Sequence, residues 1–568
     1  MTDAVLPWVR ADATAREPWR VEDETTRYLC SAAHLDQEFA DNAIRETLVE
    51  PTRAVPPTPG VDLPAVLREA VAARTRRWVR DALLFACLVG LVYTSTHLFA
   101  FWLLLAVAWS YLSPRHAAGQ RSTLLREWGG VVKLQAVRRI RRWALWLWVL
   151  LFLSLAVPML TPLLGGRRAS TPELADTGSL PWLFVLIALV VLLLDEFVVA
   201  ALLTRSFRRG PGFQAGEVRA TWPGERLVRT LALPWRRKAL KRLTGTQPDP
   251  ELLVYRGYHP FVGAGIPVRP WSIALPLDPK DEGGSTQRFT LTDLYDHVTT
   301  ELARLGASAS LSPERRLGEL TARNQVVVSA ETLLDNIHDD RACWVLPDVD
   351  EPPVRTLTPE QVAELRERPL EWMRYYRCFQ VETWDRNLVV SVYLHLGADD
   401  RMLYLEWTPC VLMPVAEHYR IADRRPSSTW SPVRHALAGL LSLPVTTPRR
   451  VRGLFRRLRP LPQPPGLLVP DKYGAATSLR ELATDDEGFD NYFQRKDVDR
   501  YLQLLERRAF RAIGEFLTGR GISVVEFQAR ANQVINNHIT NTGGTLNMVT
   551  GGTVSGIMAG QIDGGVKM

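Results

Sequence analysis

Three long apolar runs lie between residues 81 and 203, and runs of that length constrain a fold more than any other pattern in this chain. The first, DALLFACLVGLVYTSTHLFAFWLLLAVAWSYL, covers 81–112. As a single helix it would be about 48 Å long, against a hydrocarbon core of about 30 Å. Its centre, Thr94-Ser95-Thr96-His97, is polar, so two short helices or a re-entrant hairpin are expected. WALWLWVLLFLSLAVPMLTPLL (143–164) is long enough to cross a bilayer once, with Pro158 and Pro162 bending its far end. WLFVLIALVVLLLDEFVVAALL (182–203) reads as another span.

Arginines set the expected orientation. Arg74, Arg76, Arg77 and Arg80 precede the first run, a second group from Arg115 to Arg142 follows it, and Arg205, Arg208 and Arg209 follow the last. Basic flanks of this kind stay on the cytoplasmic side. The expectation is a multi-pass helical block of the cell membrane with both termini cytoplasmic and the lipid bilayer as partner. Within it, Asp195 and Glu196 fall about 14 Å before Arg205, near the bilayer midplane. Carboxylates there form a polar pathway with His97 or Thr96 as partner, or pair with the flanking arginines. The first alternative would suit a channel or transporter component.

The net charge of +8 does not point to nucleic acid. Residues 74–142 carry a net +10 and 205–242 a net +9, so the remainder is acidic. The basic excess sits beside the apolar runs rather than on a separate patch. Five scattered cysteines without a CxxC pair fit a reducing compartment, not a disulfide framework or cysteine zinc site.

Outside the apolar runs, the pattern is α+β with antiparallel strands. TRYLCSAAHLDQEFADNAIRETLVE (26–50) has helical spacing with Leu29, Ala33, Phe39, Ile44 and Leu48 on its apolar side, and PTRAVPPTPGVDLP (51–64) is a proline-rich linker. LTDLYDHVTTELARLG (291–306) is an amphipathic helix. RCFQVETW (377–384), NLVVSVYLHLG (387–397) and RMLYLEWTPCVLMP (401–414) alternate like strands, with turns at Asp385-Arg386-Asn387 and Ala398-Asp399-Asp400. DVDRYLQLLERRAFRAIGEFLT (497–518) is a helix ended by Gly519 or Gly521. The organisation expected is an N-terminal region 1–75, a membrane block 76–208, an α+β domain 209–425, a basic proline-rich linker 426–490, C-terminal helices 491–535 and a glycine-rich tail 536–568.

Reaction chemistry is scarce. There is no HExxH, GxSxG, kinase or EF-hand pattern. YRGYHPFVGAG (255–265) is glycine-rich but lacks a P-loop or dinucleotide fingerprint, and reads as a structural turn. No catalytic residue, cofactor or metal is expected, and a membrane-bound enzyme with a site near Tyr255–Gly265 is the third reading. Arg449, Arg450, Arg452, Arg456, Arg457 and Arg459 form a basic cluster suited to an anionic membrane surface or to a solvated linker.

The tail is periodic. GGTLNMVT (543–550), GGTVSGIM (551–558) and AGQIDGGV (559–566) are three eight-residue units in which Leu546, Val554 and Ile562 are equivalent. A helix is disfavoured, since each interior glycine costs nearly 1 kcal/mol. In an extended chain Val554, Met558, Ile562 and Val566 share one face. Three such rungs are too small to fold alone, whereas stacking with copies from other chains would satisfy their edges. The segment resembles the RHIM-like amyloid signalling motifs of bacterial proteins, of the form V-x-G-x-V-Q-A-G-x-I-x-G-G-V. Ile557, Ala559, Gly560, Ile562, Gly564, Gly565 and Val566 match in register, Val554 and Gly556 supply its first valine and glycine one residue late, and Met558 stands where the family usually has glutamine. The resemblance implies clustering driven by a receptor or partner that shares the motif. The functional expectation is a membrane-anchored scaffold or effector, a homo-oligomer in an immune-like or stress pathway.

Overall fold

The computed structural model describes residues 24–112, 180–207 and 250–541, apart from 282–285, 308–316, 318–319, 385, 421–422, 424–429, 456–459, 463–466, 485–487 and 490. Two compact units are present: Met1–Asp249 with Asp348–Pro353 and Val415–Ala483, and Pro250–Pro347 with Val354–Pro414 and Thr484–Met568.

The first unit is helical. Helices α1 (Glu24–Leu35), α2 (Gln37–Ile44), α3 (Leu63–Thr94), α4 (Thr96–Leu112) and α5 (Leu180–Ala201) come from its first segment. Asp36 separates α1 from α2 and accepts the Glu38 N–H as N-cap. Leu29, Ala33, Phe39, Ile44 and Leu48 are all buried, and they pack on the first half of α3. Asp62 caps α3 through the Ala65 N–H, Pro64 sits in its first turn, and the helix ends at Ser95 in extended backbone.

In the second unit a seven-stranded sheet has the order β1 (Leu252–Tyr255), β4 (Leu320–Ser329), β5 (Met373–Thr383), β6 (Leu388–Ala398), β7 (Met402–Leu412), β2 (Ile266–Pro267), with β3 (Trp271–Pro276) also on β7. Only β1 and β4 run parallel among these pairs. The expected strands lie within β5, β6 and β7, an antiparallel meander. At its first turn Trp384 and Arg386 have φ of 52° and 61°. Helices α6 (Leu291–Ala307), α7 (Ala330–Asp335), α8 (Ala342–Val345) and α9 (Pro359–Glu367) intervene between strands. One sheet face meets α6, where the Leu396 N–H donates to the hydroxyl of fully buried Tyr295 at 2.7 Å. The other face meets the 256–265 loop.

The chain then returns to the first unit as α10 (Trp430–Leu441) and α11 (Leu443–Phe455), and ends in the second as α12 (Tyr492–Gly519) and α13 (Val525–Asn541). Proline does not stop α11, which holds Pro448 within it.

The expected fold class and multi-pass cell-membrane placement are corrected by this arrangement. Among the described residues one helix, Leu180–Ser206, is long and apolar enough to cross a membrane. The 81–112 run is divided at Ser95, and its first part is the end of a 32-residue helix rooted in the core of the first unit. Its apolar side chains pack helix on helix: Leu84, Leu88, Leu91 and Trp102 meet Val185, Ala188, Leu192 and Leu440. Gly90 permits a close approach of α3 to the Phe184 side chain of α5, since a Cβ there would lie 2.6 Å from the Phe184 ring. The outward faces of α3, α4 and α5 keep Leu83, Leu104, Leu186 and Leu194 exposed. The 143–164 run lies outside the described residues.

Candidate functional site

Asp195 is where separately predicted residues converge. Placed two-thirds along α5, it is only 9% exposed. Its Oδ1 receives Arg76 Nη1 and its Oδ2 receives Arg80 Nη1 at 2.9 Å. Arg76 and Arg80 are four residues apart, so α3 presents both guanidinium groups on one side. Arg80 Nε also donates to Asp81 Oδ1 at 2.8 Å, and Arg450 of α11 donates to that same oxygen at 2.7 Å. Arg77 turns the other way and donates to the Ala33 carbonyl of α1 at 2.7 Å. Four helices of the first unit are thereby joined through charged groups.

The electrostatics follow from burial. Desolvation works against the Asp195 carboxylate, but Arg76 and Arg80 overcome it and hold the carboxyl below its ordinary range. For Arg77 burial and the like charges of Arg76 and Arg80 act together, pushing the guanidinium down to about 9. Nearby, His34 Nε2 lies 3.0 Å from Glu69 Oε2. Burial lowers the His34 pKa, Arg76 and Arg77 lower it further, and Glu69 opposes them.

Of the other predicted residues, Glu196 is half-buried with His435 Nδ1 at 3.9 Å, and His97 is exposed at the start of α4. Neither joins the Asp195 carboxylate among the described contacts. Arg449 and Arg452 are exposed, while Arg456, Arg457 and Arg459 lie outside the described residues. Sequence reasoning offered the flanking arginines, Arg76, Arg77 and Arg80 among them, as one of two kinds of partner for the Asp195 carboxylate, and omitted Asp81. The Arg76–Arg80 spacing was the available signal.

The repeat, from Val554 to Val566, also lies outside the described residues, but the structure describes what leads to it. Helix α12 packs on α6 and the sheet: Phe510 stacks on Trp271 at 4.7 Å, and Trp271 Nε1 donates to Glu506 Oε1 at 2.8 Å. A tight turn follows, fixed by Ser523 N–H to the Asp278 carbonyl at 2.9 Å. Helix α13 then docks through Phe527, whose ring lies 5.8 Å from that of Phe510, and through Ala531. Glu526, Gln528, Ala529, Arg530, Asn532 and Gln533 are exposed. An open groove of about 740 Å³ runs beside it, lined by Gly514, Thr518 and Ile535 among others. The arm is thus held on one narrow face, and ends at Asn541, two residues before the first repeat unit. Among the described residues no cluster of His, Cys, Asp and Glu has metal-ligand geometry.

Residues 270–549 match the AbeC-like domain family, just under half of the chain. The match takes in β3 to β7, α12 and α13 and extends through nearly all of the first repeat unit. No curated protein and no solved structure matches the chain.

Proposed function

We propose that this protein is a scaffold or effector that self-associates, or is recruited by a partner bearing the same motif, through its C-terminal repeat. The observation carrying this reading is the three-unit register of residues 543–566, in which Leu546, Val554 and Ile562 recur with glycines between them. Identical rungs from several chains can stack with every backbone group paired, which a single copy cannot achieve. Support comes from α13, whose narrow attachment through Phe527 and Ala531 precedes the repeat by a short step. The exposed apolar faces of α3, α4 and α5 add to the case for an interaction role. The RHIM-like resemblance supports assembly in an immune-like or stress response.

Met558 provides the test. Glutamine at this position adds a side-chain amide ladder to each stack. Met558→Gln should shorten the lag of aggregation followed by light scattering and thioflavin fluorescence, and Ile562→Arg should abolish it. If Met558→Gln leaves the lag unchanged or lengthens it and Ile562→Arg has no effect, the repeat is not the assembling element.

A further inference from the structure

The sheet face opposite α6 carries polar groups where an apolar core would be expected. Alternation along β4, β5 and β6 puts Gln325, Tyr376, Cys378, Gln380, Tyr393 and His395 on this side. Gln325 and Gln380 are 1% and 3% exposed, and among the described residues the Oε1 atom of each is buried with no hydrogen-bond partner. Their amide orientation is set by the other end: Gln325 Nε2 donates to the Glu251 carbonyl at 3.3 Å, and Gln380 Nε2 to Glu382 Oε1 at 3.0 Å. Both side chains therefore offer an unmet acceptor. A buried carbonyl left so costs roughly 1–3 kcal/mol, and two on one face call for a donor.

Between them lies an aromatic platform. Cys378 pairs across the strands with Arg323 on one side and Tyr393 on the other. Gln325 is one diagonal step to one side of this row, and Gln380 is two residues along β5 to the other, each about 7 Å from the Cys378 position. Phe261 covers the row. Its ring lies 4.1 Å from that of Tyr393 with an interplanar angle of 22°, and meets Tyr376 edge-on at 5.1 Å. Phe261 belongs to the loop between Gly257 and Gly265, both with left-handed φ, at 86° and 84°. The two ends differ. A Cβ on Gly265 would lie 2.2 Å from the Val411 carbonyl oxygen, so that end is fixed against β7, while one on Gly257 would meet nothing within 4 Å among the described residues.

We propose that Phe261 is a displaceable plug over a binding site for a planar nitrogen heteroaromatic bearing N–H donors, the chemistry of a nucleobase. A flat ring takes the place of the Phe261 ring on Tyr393, where stacking on an aromatic face is worth about 1–3 kcal/mol. Its amino or ring N–H groups donate to Gln325 Oε1 and Gln380 Oε1. The loop swings about Gly257 and stays anchored at Gly265. This site is independent of assembly through the C-terminal repeat.

The full chain is titrated with adenosine, guanosine, cytidine and uridine, following its melting temperature and the fluorescence of a Phe261→Trp variant. At least one nucleoside bearing an exocyclic amine should raise the melting temperature and move the emission maximum of the introduced indole to the red as that ring leaves the platform. Phe261→Ala should bind the same nucleoside roughly threefold or more tightly, since the closed state no longer competes. Gln325→Met and Gln380→Met, checked by circular dichroism, should each weaken it. The proposal is overturned if no nucleoside changes either signal at millimolar concentration. Binding that leaves the introduced indole's emission unmoved, or that survives both glutamine replacements in folded protein, overturns it equally.

Discussion

Asp195 Oδ2 accepts Arg80 Nη1 at 2.9 Å across 115 residues of sequence, and its other oxygen is held by Arg76. The contact ties α5 to α3 in a place water barely reaches. Removing one member of a buried pair leaves the other charge uncompensated, which costs about 3–5 kcal/mol. Asp195→Ala should therefore lower the unfolding free energy of the first unit by about that amount in urea denaturation. Glu196→Gln, on the half-buried neighbour, should change it by less than about 1 kcal/mol. Equal effects from the two substitutions would contradict the role assigned to Asp195.

His34 makes the first unit sensitive to acid at a higher pH than Asp195 does. Its folded-state pKa is depressed, so below the ordinary histidine value of 6.5 the unfolded chain binds the proton that the folded chain refuses. The resulting contribution to stability is present above pH 6.5 and is lost as pH falls below it. Asp195 adds a second loss only below its ordinary carboxyl value of 3.8. The melting temperature of the first unit should fall between about pH 7 and pH 5, and His34→Gln should flatten that part of the profile. A wild-type profile already flat over this interval would contradict the buried neutral imidazole.

Gly265 should tolerate no side chain. Alanine there meets the Val411 carbonyl and a φ of 84°, a combination that costs roughly 1–3 kcal/mol. Gly257→Ala carries the backbone strain without the clash and should cost less, about 1 kcal/mol. Guanidinium unfolding of the two variants gives the order directly, and Gly257 as the costlier site would contradict the anchored-end geometry.

Much of the second unit was legible because its signals are local. Val389 to Leu396 alternate with the sheet pleat, Asp399 turns the chain by accepting the Arg401 and Met402 N–H groups, and α12 declares itself by its stripe of Val498, Leu505, Ala509 and Ile513. Strand β1 was not read. Four residues, Leu252 to Tyr255, carry no period, and their parallel partner Val326–Ser329 lies more than seventy residues away. The first unit misled for a different reason. Apolar runs signal a lipid-facing span and a buried helix alike, so composition alone could not place Leu84 and Leu88 against Val185 and Leu192. The same ambiguity left the Asp195 site open between a polar pathway and pairing with the flanking arginines, because contacts across more than a hundred residues leave no local trace. In the C-terminal segment of the sequence the repeat was read from its register, and its stacking stands as a proposal.

Phe527 should control how α13 is held. Truncation to alanine removes its contact with Phe510 and should cost about 3 kcal/mol of local stability. Faster amide exchange over residues 525–541 should follow, with exchange in β5 and β6 unchanged. Uniform loss of protection across the sheet would contradict an arm attached on one narrow face.

The central claim concerns assembly through the C-terminal repeat, and a truncation isolates it. The full chain and a chain ending at Asn541, which keeps every described helix and strand, are compared by sedimentation velocity at matched concentrations, with circular dichroism confirming that both remain folded. The account predicts a concentration-dependent series of large species for the full chain and their loss on truncation. An identical size distribution for the two chains would contradict it.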